Sequence, residues 1–129
     1  MPVARNLRVL VVDDQASMRG LTRHCLNQLN INNIVEAASG MAAMQELGIN
    51  KFDLIISDWN MDGMDGLELL KTIRANPLIK STPFIMSTGN KDAEKVKIAI
   101  AAGVNNYVVK PFNVMTIKKK IEAVIGALT

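Results

Sequence analysis

Five short apolar runs, separated by stretches of three-to-four periodicity, restrict this chain to one kind of architecture. The runs are residues 7–12 (LRVLVV), 34–38 (IVEAA), 54–57 (LIIS), 84–87 (FIMS) and 106–109 (NYVV). Each is too short for a stable helix, and most are rich in Val and Ile, as buried strands are. Between and after them, apolar residues recur at helical spacing. Met18, Leu21, Cys25 and Leu29 form the first set, and Ala43, Met44 and Leu47 the second. Leu67, Leu70 and Ile73, then Val96, Ala99 and Ile100, then Ile117, Ile121, Val124 and Leu128 complete the series. Ser39-Gly40 opens the second predicted helix. Asn76-Pro77 closes the third, because a residue before proline avoids the helical region. Gly103 closes the fourth in a left-handed cap. Five strands alternating with five helices predict a single α/β domain of (βα)5 type. Its parallel sheet carries helices on both faces and right-handed crossovers. Periodicity alone leaves the strand order open.

In an open parallel sheet, ligands meet the C-terminal ends of the strands. At those ends this chain places Asp13-Asp14, Asp58, Thr88 and Lys110. Clustered carboxylates repel one another unless a cation or proton intervenes. The cation suited to an oxygen-rich site open to phosphate is Mg²⁺, which keeps several waters and needs few protein ligands. Asp58 at a strand end could then act as a nucleophile and form an acyl phosphate. Asp13 and Asp14 could hold the metal against it. Lys110 would offset phosphoryl charge from the other side, and the Thr88 hydroxyl would donate a hydrogen bond. Taken singly, each residue has a plain structural reading: an Asp at a strand end commonly caps a turn or helix. Their joint placement at the ends of four strands is what points to a metal-assisted phosphoryl site.

Composition removes several alternatives. At 129 residues the length fits one domain. Cys25 is the only cysteine and His24 the only histidine, so there is no internal disulfide, zinc spacing or well-supported Ser-His-Asp triad. A lone thiol fits a reducing, cytoplasmic compartment. No apolar run approaches the ~18 residues of a membrane span, and the apolar stretch after Arg5 ends in Asp13-Asp14, unlike a signal peptide. The net charge of +3 is unevenly placed. Residues 1–90 hold 8 Lys+Arg against 9 Asp+Glu, whereas residues 91–129 hold 7 lysines against 3 acids. Lys118-Lys119-Lys120 is the densest run. It reads either as a solvated helix face or as a surface for acidic partners. No aromatic residues interleave with it, which argues against a stacking surface for nucleic acid.

The chain resembles the receiver domains of two-component signalling, and among them the single-domain chemotaxis response regulators. The segments that carry the likeness are VVDD (11–14), SMR (17–19), ISDWNM (56–61), MDGLELLKTIRA (64–75), MSTG (86–89) and YVVKPF (107–112). The resemblance implies a flavodoxin-like sheet of order 2-1-3-4-5. It implies that Asp58 accepts a phosphoryl group from a histidine kinase of the chemotaxis type. Asp14 and Asp58 would ligate Mg²⁺ with the Asn60 backbone carbonyl, and Asp13 would support the metal and its waters. Thr88 and Lys110 would bind phosphoryl oxygens, Tyr107 would be a rotating aromatic switch, and the Lys110-Pro111 bond would be cis. Residues 1–129 would form one receiver domain with no output domain, since the last predicted helix runs to the C-terminus. Such a chain is a phospho-acceptor switch with self-phosphorylation and autodephosphorylation chemistry, and not a turnover enzyme. Its implied partners are the kinase, the flagellar motor switch protein and a phosphatase, with no nucleic acid, no membrane and a monomeric state.

Departures from the family pattern mark where the likeness thins. Asp62 stands where the family often has proline, which loosens the loop after Asp58 together with Gly63 and adds negative charge. Gly89 stands where alanine is common, and Asn90 where an acid is found in enteric relatives. Lys91, Ala93 and Lys95 do not reproduce the familiar charge spacing of the output face, although Tyr107 and Lys120 do. These differences keep a second function open: a phosphate sink or connector with no motor partner. A third, a Mg²⁺-dependent aspartyl phosphohydrolase, usually needs a second aspartate two residues after the nucleophile, where this chain has Asn60.

Overall fold

The computed structural model describes residues 2–89 and 93–129; Asn90 and Lys91 lie outside the described residues. Its strands are β1 (Arg8–Val12), β2 (Asn33–Ala37), β3 (Leu54–Asp58), β4 (Phe84–Thr88) and β5 (Asn106–Val109). Its α-helices are α1 (Ala16–Gln28), α2 (Gly40–Ile49), α3 (Gly66–Arg74), α4 (Ala93–Ala101) and α5 (Val114–Ile125). The strands form one parallel sheet of order β2-β1-β3-β4-β5. This is the flavodoxin-like arrangement, with each expected strand found to within one residue at either end.

Period-two alternation sorts the strand residues onto two cores. Val9, Val11, Leu54, Ile56, Ile85 and Val108 face α1 and α5, meeting Cys25, Leu26, Ile117 and Ile121. Leu10, Val12, Ile55, Phe84 and Met86 face α2, α3 and α4, meeting Leu47, Leu70, Ile73 and Ala99. β3 and β4 are buried along their whole length. Both are therefore near-continuous apolar runs until they reach Ser57-Asp58 and Ser87-Thr88, where the sheet opens.

Side-chain caps fix where three helices begin. Ser39 accepts from the Ala42 amide, Asp65 from the Glu68 amide and Asn113 from the Thr116 amide. Gly103 takes a positive φ of 98° just after α4. Arg74 packs against it and binds four acceptors: the carbonyls of Lys80, Thr82 and Gly103, and Asn105 Oδ1.

The C-terminus differs from the sequence expectation. α5 stops at Ile125, and Gly126, at φ 96°, turns the chain back. The tail then pairs with the N-terminus, the Ala4 amide donating to the Thr129 carbonyl and the Thr129 amide to the Pro2 carbonyl. Leu128 does pack on the α1/α5 core, but from this tail and not from a helix.

Candidate functional site

The sheet brings four of the expected residues to one edge. β1 ends at Val12, so Asp13 and Asp14 emerge together, and the Asp13 amide still bonds to the Ala37 carbonyl of β2. Asp58 is the last residue of the neighbouring β3. Asp13, Asp14 and Asp58 each offer a carboxylate oxygen within 4.8 Å of the others. Asp13 and Asp58 are buried, and Asp14 is exposed. Lys110, just past β5, reaches back across the sheet edge. Its Nζ lies 2.9 Å from Asp58 Oδ1 and 3.5 Å from Asp13 Oδ2. A lysine this close to a buried carboxylate makes a short, charge-assisted hydrogen bond.

Each position has a local cause. Lys110 directly follows β5 and is joined to Pro111 by a cis peptide, and its amide donates to the Thr88 carbonyl at 2.7 Å, tying β5 to the end of β4. Thr88, at the end of β4, is buried next to Asp58, whose register partner is Ser87. The Trp59 amide continues the ladder by donating to the Ser87 carbonyl. Gly66 starts α3 beneath this turn, and its amide donates to the Trp59 carbonyl. A Cβ at Gly66 would strike the Asp58 carbonyl oxygen and lie 2.9 Å from Trp59 Cα. Glycine is therefore required here by close backbone approach.

The electrostatics follow from burial. Loss of water pushes the Asp13 carboxyl above its ordinary range. The Gln15 amide and Lys110 pull it down, while the Asp58 charge pushes it up again. The excess of carboxylate over ammonium favours a cation. Among the described residues, Asp14, Asn60, Met61, Asp62 and Asp65 line a shallow depression of about 240 Å³ that opens from this edge to solvent. The donor set is all oxygen, which suits a hard divalent ion such as Mg²⁺ and not a soft one.

Tyr107 lies apart from the carboxylates. It pairs in register with Met86 on β4, is half-buried against the α2/α3/α4 core, and has Lys120 Nζ 4.8 Å from its ring centroid. Thr88 pairs with Val109, two residues further along the same strand pair. Lys120 of α5 also lines an open groove of about 510 Å³ with Asn106, Asn113, Met115, Thr116 and Lys119. The sequence reading missed two contacts. Lys95 of α4 sits 5.5 Å from the centroid of the buried Trp59 ring. Arg19 of α1 donates to the Asp13 carbonyl at 2.7 Å. Neither leaves a local signal, because each joins residues that only the fold brings together.

Comparison with known proteins agrees with this geometry. Residues 9–122 match the response regulator receiver domain family. The chain is 40% identical over 124 residues to the chemotaxis protein CheY-3 of Vibrio cholerae, covering 96% of this chain and 95% of that protein. It is 39% identical over 118 residues to the chemotaxis protein CheY of Pseudomonas aeruginosa, covering 92% of this chain and 95% of that one. The solved structure of the chemotaxis response regulator CheY4 of Vibrio cholerae is 36% identical with a TM-score of 0.84, covering 92% of this chain and 98% of that one.

Proposed function

Because this chain belongs to the response regulator receiver family, the phospho-accepting switches of two-component signalling, we propose that Asp58 is its phosphorylated residue. The single observation that carries this reading is the Lys110 ammonium 2.9 Å from a buried strand-end carboxylate that shares its edge with two more acids. A histidine kinase of the chemotaxis type is the donor. An Asp58 carboxylate oxygen attacks phosphorus, the O–P bond forms, and the N–P bond of the donor phosphohistidine breaks, leaving its electron pair on the imidazole. Autodephosphorylation is hydrolysis. Water attacks phosphorus and gives up a proton, the Asp58 O–P bond breaks with its electron pair returning to the carboxylate, and inorganic phosphate leaves.

Lys110 supplies a fixed positive charge where the phosphoryl oxygens arrive, and its ion pair holds the Asp58 side chain still beforehand. Thr88 at the end of β4 donates its hydroxyl to the same oxygens. Asp13, Asp14, Asp58 and the Asn60 carbonyl would hold Mg²⁺, and the all-oxygen donor set on this edge supports that choice. When bound, Mg²⁺ offsets the charge of the carboxylates and the phosphoryl group. The output is read through Tyr107. Movement of the Thr88 side chain toward a phosphoryl group leaves space for the Tyr107 ring, changing the α4–β5–α5 surface that a partner selects.

The names and full-length coverage of the relatives favour chemotaxis, with the flagellar motor switch protein as output partner and a phosphatase to end the signal. The one buried thiol, Cys25, supports a reducing cytoplasm. No helix among the described residues is long and apolar enough to cross a membrane.

Intact-mass spectrometry after incubation with acetyl phosphate and Mg²⁺ tests the chemistry. One added phosphoryl group is expected, absent in Asp58→Asn; phosphorylation of that variant at another residue overturns the assignment. Pull-down of the motor switch protein with and without beryllofluoride tests the output. Binding only with beryllofluoride supports a motor regulator, and no binding in either state supports a phosphate sink.

A further inference from the structure

Two adjacent carboxylates at a strand end need something to hold them toward a third. The loop carrying Asp13 and Asp14 is three residues long, from the end of β1 at Val12 to the start of α1 at Ala16. It receives one bond from within, the Gln15 amide to Asp13 Oδ1 at 2.9 Å. Outside the loop, the Ala37 carbonyl of β2 holds the Asp13 amide and Lys110 faces the Asp13 carboxylate, and a further anchor, the one on the Asp13 carbonyl, comes from the first turn of α1. Arg19 Nη1 donates to the Asp13 backbone carbonyl at 2.7 Å. The same guanidinium donates through Nε to Glu36 Oε1 on β2 at 3.2 Å. Arg23, one helical turn on, holds the other oxygen of Glu36 at 2.8 Å and donates to the Ile34 carbonyl at 3.3 Å.

We propose that Arg19 is a positioning residue of the divalent-cation site: it fixes the peptide between Asp13 and Asp14 so that both carboxylates stay directed at the ion. The proposal rests on the Mg²⁺ reading above and extends it to a residue that touches neither metal nor phosphoryl group. Arg19 is suited to the task because its planar fork has several donors in fixed geometry. One donor reaches the loop and another is held by a carboxylate on the adjoining strand. Glu36 in turn is braced by Arg23, so the guanidinium cannot swing without breaking bonds on both sides. Outer partners of this kind set the orientation of metal ligands and, on loss, typically weaken metal affinity 10-fold or more.

Charge and position make opposite predictions, which gives the test its power. A guanidinium near an acidic site repels a divalent cation, so neutralising it should tighten binding if charge alone matters. If Arg19 holds the ligands, neutralising it weakens binding. Trp59, next to Asp58 and the sole tryptophan of the chain, provides a fluorescence readout of Mg²⁺, with calorimetry as a second measurement. For Arg19→Gln we expect Mg²⁺ affinity to fall about 10-fold or more. For Arg19→Lys, which keeps the charge but not the fork, we expect a fall of at least about 3-fold. Arg23→Gln removes the other arm of Glu36 without touching Asp13 and is the control. Its Mg²⁺ affinity should stay within about 2-fold of the parent, with a melting temperature as low as that of Arg19→Gln or lower. Unchanged or tighter binding in Arg19→Gln overturns the proposal, as does an equal loss in Arg23→Gln. Failure of the parent protein itself to bind Mg²⁺ overturns the underlying metal reading instead.

Discussion

Removing a buried carboxylate from this protein should make it more stable, and Asp13→Asn is the substitution that shows it. Asp13 is 5% exposed, and its carboxylate oxygen lies within 4.8 Å of oxygens on Asp14 and Asp58. At an effective dielectric of about 20, two unit charges 4.8 Å apart repel by about 3.5 kcal/mol. The Asp14 contribution is cut to roughly half of this by solvent screening, since that residue is exposed. Against these stands attraction to Lys110 at 3.5 Å, worth about 5 kcal/mol on the same scale. The two repulsions slightly exceed the attraction, and the desolvation of Asp13 comes on top. Asparagine keeps an oxygen for the Gln15 amide, and Lys110 keeps Asp58 at 2.9 Å. The net gain in the metal-free protein is about 1–2 kcal/mol, or about 3–8 °C in melting temperature for a chain of this length.

The pH dependence carries the cause. Burial raises the folded-state Asp13 carboxyl above its unfolded value. The folded state therefore holds that proton more tightly, and the stability linked to it is fully present below the unfolded value. It is lost as pH rises through the folded value. Asp13→Asn should thus gain nothing over the parent in acid and gain its full advantage at neutral pH. Thermal melts in EDTA across this range are the assay. Added Mg²⁺ should narrow the gap, because the parent binds the ion better and is stabilised by mass action. A variant no more stable than its parent at pH 7 in EDTA, or a gain independent of pH, refutes the reasoning.

The remaining predictions concern the frame around the site. Gly66→Ala should cost about 3 kcal/mol or more, because the added Cβ meets the Asp58 carbonyl oxygen and Trp59 Cα, both backbone; denaturant unfolding measures it, and a cost under about 1 kcal/mol rejects the contact. Arg74→Met should cost about 2–4 kcal/mol by leaving the Gly103, Lys80 and Thr82 carbonyls and Asn105 Oδ1 without this donor. Hydrogen exchange should then quicken at residues 103–106. Deleting residues 126–129 removes the backbone bonds to Pro2 and Ala4 and the burial of Leu128, with an expected loss of about 2–3 kcal/mol. Asp62→Pro stiffens the loop after Asp58 and removes one charge from the lining of the depression beside Asp14; titration of Trp59 fluorescence should show Mg²⁺ affinity changed by less than about 3-fold.

What the sequence made legible depended on whether the physical cause was local. Strand runs such as Leu54–Asp58 end in a polar residue because the sheet ends there, so burial and site placement are written in the same few letters. The caps at Ser39 and Gly103 were legible for the same reason, as each answers a backbone demand within a few residues. Strand order was not local: nothing in β2 names β1 as its neighbour, and only likeness to a family supplied 2-1-3-4-5. The reach of α5 was misjudged because Leu128 continues the apolar spacing. Gly126 at φ 96° breaks the helix two residues earlier, and the same side chain reaches the core from an extended tail. Arg19 is the sharpest instance. On the helix it reads as a surface cation, and its partners, the Asp13 carbonyl and Glu36, are defined only once α1 packs beside the β1 and β2 ends. The residues proposed to carry the chemistry sit where strands end and can be read from the strands. Residues that aim them are set by the packing of one element on another, and their substitution therefore tests the fold and the site together.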